Sequence, residues 1–425
     1  MRHAALLLFA LPGTALALPV VELTALQANG PPERGCHDTL TVSTERIPPS
    51  ETPMGPSLSP DLQPLEGRPS DIIRIQKLFQ DVETGGHLRI SFFGASHTAA
   101  DFWTGHLRRR LQDRVGDRGH GFVLPRQRGQ DINLCTSSGW GLGNSRNQAS
   151  HDIPTTLSGT SMRSDDPRQF AWVQTTAQNP HGRLASRFEV FLLAHPEGGH
   201  ALIDVDGGAP QSVSTQAPQP SLLQVRVRVH EGPHRLRVRP QGDGEVVLYG
   251  VSVERDVPGV IVDALGVPGS MARSWLERNP VLNQEGLRRL DPDLLVLAYG
   301  TNEANDTSYA LDTYRQDLDL VLREMRYALP DTPCLLVGPS DRVESSQRPG
   351  LAERTQAVAE IQRRIAPVHG CAFWDWQQAT GGPGSQAAWR AHEPPLVASD
   401  LLHYTPEGYQ ASADLLLLAL DTPIP

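Results

Sequence analysis

Residues 90–111 read ISFFGASHTAADFWTGHLRRRL, an apolar run that passes through Gly94-Ala95-Ser96-His97-Thr98 into a helix-like pattern. The run starts at Leu88 as LRISFF, a strand. The residues after it put Phe102, Trp103, Leu107 and Leu111 on one helical face directed at a core. Arg108-Arg109-Arg110 wrap the flank, where an arginine run reads as a solvated face. A small polar residue at such a junction is ordinarily a turn former or helix N-cap. It is also where a nucleophile would stand. Partners elsewhere in the chain decide between the two.

Upstream, DIIRIQKLFQDV (71–82) sets Ile72, Ile75, Leu78 and Phe79 on one helical face. From residue 256 onward the strand–helix pattern resumes. GVIVDALG (259–266), DLLVLAYG (293–300), CLLVGPS (334–340) and CAFWDW (371–376) alternate with amphipathic helices at 309–329, 351–366 and 406–420. Near-continuous apolar strands separated by such helices predict a parallel sheet covered on both faces, of which 88–93 is a member. Between these parts, residues 126–255 have another texture. RFEVFLLA, HALIDVDGG, LLQVRVRVHEG, PHRLRVRPQGDG and EVVLYGVSVER alternate apolar and polar residues and are separated by turn signals. Val225, Val227 and Val229 fall on one side of their strand, and Arg226, Arg228 and His230 on the other. This predicts an antiparallel β-sandwich or jelly roll inserted between the first and second strands of the parallel sheet. The parallel-sheet domain is then split into 71–125 and 256–425.

The chain has 425 residues and a net charge of −10, with a pI near 5.8. That balance argues against a nucleic-acid partner, which needs a basic surface. The first residues, MRHAALLLFALPGTALALP, have a basic start, a short apolar core and Ala15-Leu16-Ala17. They are expected to act as a cleavable signal peptide (1–17) cut after Ala17, placing the protein in the periplasm or outside the cell. No other stretch has the uninterrupted apolar length of a transmembrane helix. Residues 18–70 are rich in Pro, Ser, Thr and Glu and read as a mostly irregular leader. Four cysteines suit an oxidising compartment. Cys334 and Cys371 each open a short apolar strand, so neighbouring parallel strands would set them side by side. That pairing, with Cys36–Cys135 as the second, is favoured among the three connectivities.

Ligands gather at the carboxyl ends of strands in an open α/β sheet. Four features fall there in order: Ser96, GVPGS (266–270), GTNE (300–303) and DLLH (400–403). On these blocks the chain resembles the SGNH, or GDSL-type, hydrolases, through Ser96, Gly269, Asn302 and His403 with Asp400. The resemblance spans about 70–125 and 256–425. It implies a flavodoxin-like three-layer α/β fold with a five-stranded parallel sheet, and a Ser96–His403–Asp400 catalytic triad. It also implies an oxyanion hole made by the Ser96 and Gly269 N–H groups and the Asn302 amide. The chemistry suits those residue types. A serine hydroxyl needs a base to take its proton, a carboxylate fixes the tautomer of that base, and the oxyanion needs preorganised donors. Gly269 has no Cβ to keep its backbone from the substrate.

The sequence departs from the family in two places. The usual Gly-Asp-Ser has Ala95 at its middle position, and the usual Asn-Asp is Asn302-Glu303, with Glu303 expected as a structural acceptor. His97 is expected to serve the turn or helix start, and Arg273 and Trp275 to serve solvation and packing. GASHT is not a G-x-S-x-G elbow, which argues against a standard α/β-hydrolase lipase. SGNH hydrolases with a β-sandwich inserted after the first strand–helix unit are similar to exported carbohydrate esterases, the peptidoglycan O-acetylesterases being the nearest architecture. The resemblance therefore implies a monomeric, exported serine esterase acting on an acylated glycan or small ester, without metal or organic cofactor. The alternatives are a lipid or thioester hydrolase, an O-acyltransferase using the same acyl-enzyme, or an envelope glycan-binding protein with weak catalysis.

Overall fold

The structure is a computed structural model that describes residues 20–24, 63–124, 129–137, 139–144, 154–177, 180–342 and 350–421. The expected signal peptide and its cleavage point lie outside the described residues, as does Cys36.

Five parallel strands form the central sheet, in the spatial order Gly259–Gly266, His87–Gly94, Leu294–Ala298, Cys334–Val337, Cys371–Trp374. Successive residues of each strand feed opposite cores, as the pleat requires. Phe93, Leu265, Leu295, Leu297, Leu336 and Phe373 pack with Leu287, Leu318, Val321, Met325 and Val358 from the helices on one face. Ile90, Phe92, Val262, Val296, Val337 and Trp374 pack with Ile75, Phe79, Trp103, Leu107, Tyr409 and Leu416 on the other. The result is the three-layer α/β arrangement expected from the pattern. The register aligns the carboxyl ends of the strands: Gly94 lies opposite both Gly266 and Ala298. Every loop expected to carry chemistry therefore starts from one edge.

Two further sheets are built almost wholly from residues between His87–Gly94 and Gly259–Gly266. One has seven strands and is antiparallel except where Val20–Thr24 runs parallel to Ser221–Gly232. The other has five strands, all antiparallel. Val190, Val225, Val227 and Leu248 from the first share a core with Val173, Ile203, Leu236 and Val238 from the second. The first sheet's other face supplies Phe122, Phe191, Leu193, Val247 and Tyr249 to the same core as Leu282 and Leu287 of the helix Pro280–Leu290. Beside this seam lies Arg89. Its guanidinium donates to both oxygens of Asp263 (2.8 and 2.9 Å), to Glu254 (2.7 Å) and to Ser252 (2.9 Å). Asp263 also accepts from Ser91 and from the Phe122 backbone. A buried cation with its acceptors complete is tolerated, but loss of one partner typically costs about 3–5 kcal/mol.

Two expectations are corrected. Val20–Thr24, in the stretch read as mostly irregular leader, forms a strand because Val21 and Leu23 alternate onto the core shared by the two further sheets. In the arginine run, Arg108 is 1% exposed rather than solvated. Its guanidinium bonds Asp101 (2.6 Å) and the Val262 carbonyl (2.9 Å). Asp101, held in the left-handed region (φ 53°), also accepts from Thr104 and the Gln130 backbone. Arg109 pairs with Asp131, while Arg110 stays mostly exposed.

Cys334 and Cys371 are register partners on adjacent strands and form a disulfide, as the strand reading expects. Cys135 is also disulfide-bonded. The Cys334–Cys371 link closes a loop of 37 residues. Replacing both cysteines by alanine should lower unfolding stability by about 3–4 kcal/mol, read from urea unfolding with a larger m-value, because the unlinked unfolded chain exposes more surface.

Candidate active site

The turn after His87–Gly94 is set by close backbone approach. A Cβ on Gly94 would lie 2.3 Å from the Thr98 hydroxyl and 2.9 Å from the Ala298 carbonyl. With glycine there, the chain turns directly into the short helix Ser96–Ala99 and leaves Ser96 part-exposed at the sheet edge.

The loop before the helix Pro406–Asp421 supplies the partners. His403 Nε2 lies 2.8 Å from Ser96 Oγ, and its Nδ1 lies 2.6 Å from Asp400 Oδ2. The other Asp400 oxygen accepts from the backbone N–H groups of Leu402 and His403 at 3.0 and 2.9 Å. Leu401 takes a left-handed conformation (φ 54°) that brings the carboxylate round to the ring three residues on. For a residue with a Cβ that conformation costs on the order of 1–2 kcal/mol, carried here by the hydrogen bonds within the turn. Partial burial alone would raise the Asp400 carboxyl, but the bonds from the His403 ring and the two backbone donors outweigh it. The carboxyl is held below its ordinary range and is ionised at neutral pH.

Three loops meet beside Ser96. The Gly94 carbonyl accepts from Val267 N–H (3.0 Å) and Ser270 Oγ (3.1 Å). The Asn302 amide donates to the Ser270 carbonyl at 2.8 Å. Gly269, between them, has φ 74°, a conformation side chains disfavour. Glu303 is fully buried and bridges the second and third loops: Oε1 accepts from Ala272 N–H at 2.7 Å and Oε2 from Gly300 N–H at 2.9 Å. Burial raises its carboxyl above the ordinary range, and these donors oppose the rise.

Thus Ser96, His403 and Asp400 are joined by direct hydrogen bonds, and Asn302 is joined to the Gly269-Ser270 turn. Trp275 is fully buried against Phe93, with ring centroids 4.9 Å apart. The Arg273 guanidinium lies 4.3 Å over the Tyr309 ring. The residues that sequence reasoning missed are Ser340 and Tyr409, both hydrogen-bonded to His97. Ser340 ends CLLVGPS, so the strand-end rule that singled out Ser96 also points to it. Among the described residues no helix is long and apolar enough to cross a membrane. No group of three or more His, Cys, Asp or Glu among them is placed to hold a metal ion.

Residues 241–411 match the family model of GDSL-like lipases and acylhydrolases. No curated protein matches the chain. Among solved structures, a peptidoglycan O-acetylesterase is 26% identical, over 82% of this chain and 95% of its own, with a TM-score of 0.67. A lipase/acylhydrolase from Enterococcus faecalis is 22% identical, over 37% of this chain and 74% of its own, with a TM-score of 0.27. A family two carbohydrate esterase from Cellvibrio japonicus is 13% identical, over 67% of this chain and 96% of its own, with a TM-score of 0.26.

Proposed function

The chain carries a GDSL-like lipase/acylhydrolase domain over residues 241–411, and from that premise we propose that it is an exported SGNH-type serine esterase that removes acetyl groups from an O-acetylated glycan, peptidoglycan foremost. The observation that carries this reading is the hydrogen-bonded chain from Ser96 Oγ through His403 to Asp400 at the sheet edge.

In this reading Ser96 Oγ attacks the acetyl carbonyl carbon while His403 Nε2 takes the hydroxyl proton. Asp400 holds the other ring N–H and balances the imidazolium. The Ser96 and Gly269 N–H groups and the Asn302 amide receive the oxyanion. Collapse expels the sugar hydroxyl, which leaves with the proton from His403, and Ser96 keeps the acetyl group. Water, deprotonated by His403, attacks that ester. Acetate departs, and the proton returns to Ser96 Oγ.

The likeness to a peptidoglycan O-acetylesterase over most of both chains supports the acetylated glycan. The two-sheet body between the first two parallel strands is read as an inserted module that presents the polysaccharide. The disulfide supports an oxidising location.

The test is acetate release from purified O-acetylated peptidoglycan, beside the same glycan stripped by mild alkali and a p-nitrophenyl ester series of rising chain length. Acetate from the untreated glycan alone, with acetyl preferred in the series, is expected. No acetate from the glycan, together with a preference for long acyl chains, would sink the glycan reading and leave a lipid-ester hydrolase.

A further inference from the structure

His97 follows the nucleophile directly and is expected from sequence to serve only the turn. The structure gives it more to do. It is 4% exposed. Its ring stands edge-on to Trp376, with centroids 5.0 Å apart, and tilted against His403 at 5.3 Å. Tyr404 and Tyr409 close the remaining sides at 6.0 and 5.8 Å.

Both ring nitrogens are engaged. Nδ1 lies 2.8 Å from the Tyr409 hydroxyl and Nε2 lies 3.3 Å from Ser340 Oγ. Ser340 Oγ lies 3.3 Å from Thr301 Oγ1, which also accepts from the Ser340 backbone N–H at 3.1 Å. Thr301 opens the helix Thr301–Asn305 and adjoins Asn302. One polar chain thus runs from the helix behind His403, through the residue after Ser96 and the loop after Cys334–Val337, to the residue before Asn302.

A neutral imidazole supplies one donor and one acceptor, which a run of hydroxyls on either side satisfies completely. Phenylalanine would fill the same space but strand the Tyr409 hydroxyl and leave Ser340 Oγ with Thr301 alone, so packing alone does not account for a histidine here. Burial pushes the ring down to about 3. The neighbouring His403 adds to that push, Asp400 opposes it and Arg342 reinforces it. When proton transfer makes His403 a cation, the ring packed on it is neutral rather than a second positive charge.

We propose that His97 is a positioning residue for the reaction: tied to Tyr409 and Ser340, its ring holds the His403 imidazole in line with Ser96 and keeps the Ser96 turn in register with the Asn302 helix. This rests on the serine-esterase reading above. It concerns a side chain that acts through His403 rather than on the substrate.

The test compares His97→Phe, Tyr409→Phe and Ser340→Ala with wild type and Ser96→Ala, using the full chain and p-nitrophenyl acetate. Active sites are titrated with a fluorophosphonate, so that turnover is expressed per competent Ser96. His97→Phe should lower kcat per titrated site about 10- to 100-fold, with KM within about twofold. Tyr409→Phe and Ser340→Ala, which keep the ring and remove one tether each, should lower it about 3- to 10-fold. A merely structural role would lower the melting temperature or the titrated fraction and leave turnover per site unchanged, and that result in the two tether variants overturns the proposal even if His97→Phe fails to fold. Wild type that neither hydrolyses the ester nor reacts with the fluorophosphonate, or Ser96→Ala as active as wild type, overturns the esterase reading itself.

Discussion

Ser96→Ala is expected to lower acetyl-ester turnover by about 10⁴-fold or more while leaving the fold intact. The serine is part-exposed, and among the described residues its hydroxyl makes one hydrogen bond, to His403. Removal therefore leaves no buried donor or acceptor stranded. Circular dichroism and the urea midpoint should match wild type. His403→Ala should cost a comparable factor, and the double variant little more than either single one, because nucleophile and base act as a unit. A stopped assay with p-nitrophenyl acetate and a day-long baseline covers the range. A Ser96→Ala variant that keeps a tenth of wild-type turnover would remove the serine from the mechanism.

The second large effect belongs to Asn302. One amide hydrogen is committed to the Ser270 carbonyl, and the reading gives the other to the oxyanion. The charge on that oxygen develops only as the reaction proceeds, so its donor contributes to kcat rather than to ground-state binding. Asn302→Ala should therefore lower kcat by about 10²–10³-fold with KM within about threefold. Asn302→Asp should be at least as damaging, since a carboxylate repels the oxyanion and cannot donate to Ser270. Glu303→Gln, which sets an amide N–H donor against a backbone N–H in place of an acceptor oxygen, should give a smaller loss of about tenfold, together with a lower melting temperature. A rise in KM at constant kcat in Asn302→Ala would mean that the amide binds substrate uniformly.

Much of this was readable from strand periodicity. The apolar runs at 88–93, 259–266, 294–298, 334–337 and 371–374 are the sheet strands, and Cys334 and Cys371 pair because each opens one. That Ser96, Asn302, Asp400 and His403 gather at one edge was legible because strand-end loops collect there whatever lies between them. Less legible were contacts between residues far apart in the chain. Arg89 sits in an otherwise largely apolar strand, and its acceptors Glu254 and Asp263 are 165 and 174 residues away. Arg108 belongs to a run that looks solvated, and only the left-handed Asp101 seven residues earlier makes its burial intelligible. His97 resembles an ordinary turn residue until Tyr409 and Ser340, 312 and 243 positions on, are folded against it.

The Arg89 cluster bears on how such chains recombine. Residues 126–255, the stretch bounded by texture in the sequence, are not a cassette that can be traded at its ends. Glu254 leaves with the donor segment, while Arg89 and Asp263 stay with the recipient. The apolar side of the seven-stranded sheet departs too, uncovering Leu282 and Leu287. A graft from a relative must bring an acid at the position of Glu254 and a matching apolar face, or replace Arg89 at the same time. The unit that exchanges cleanly is the pair of further sheets together with their footprint, and that footprint reaches back into the strand leading to Ser96.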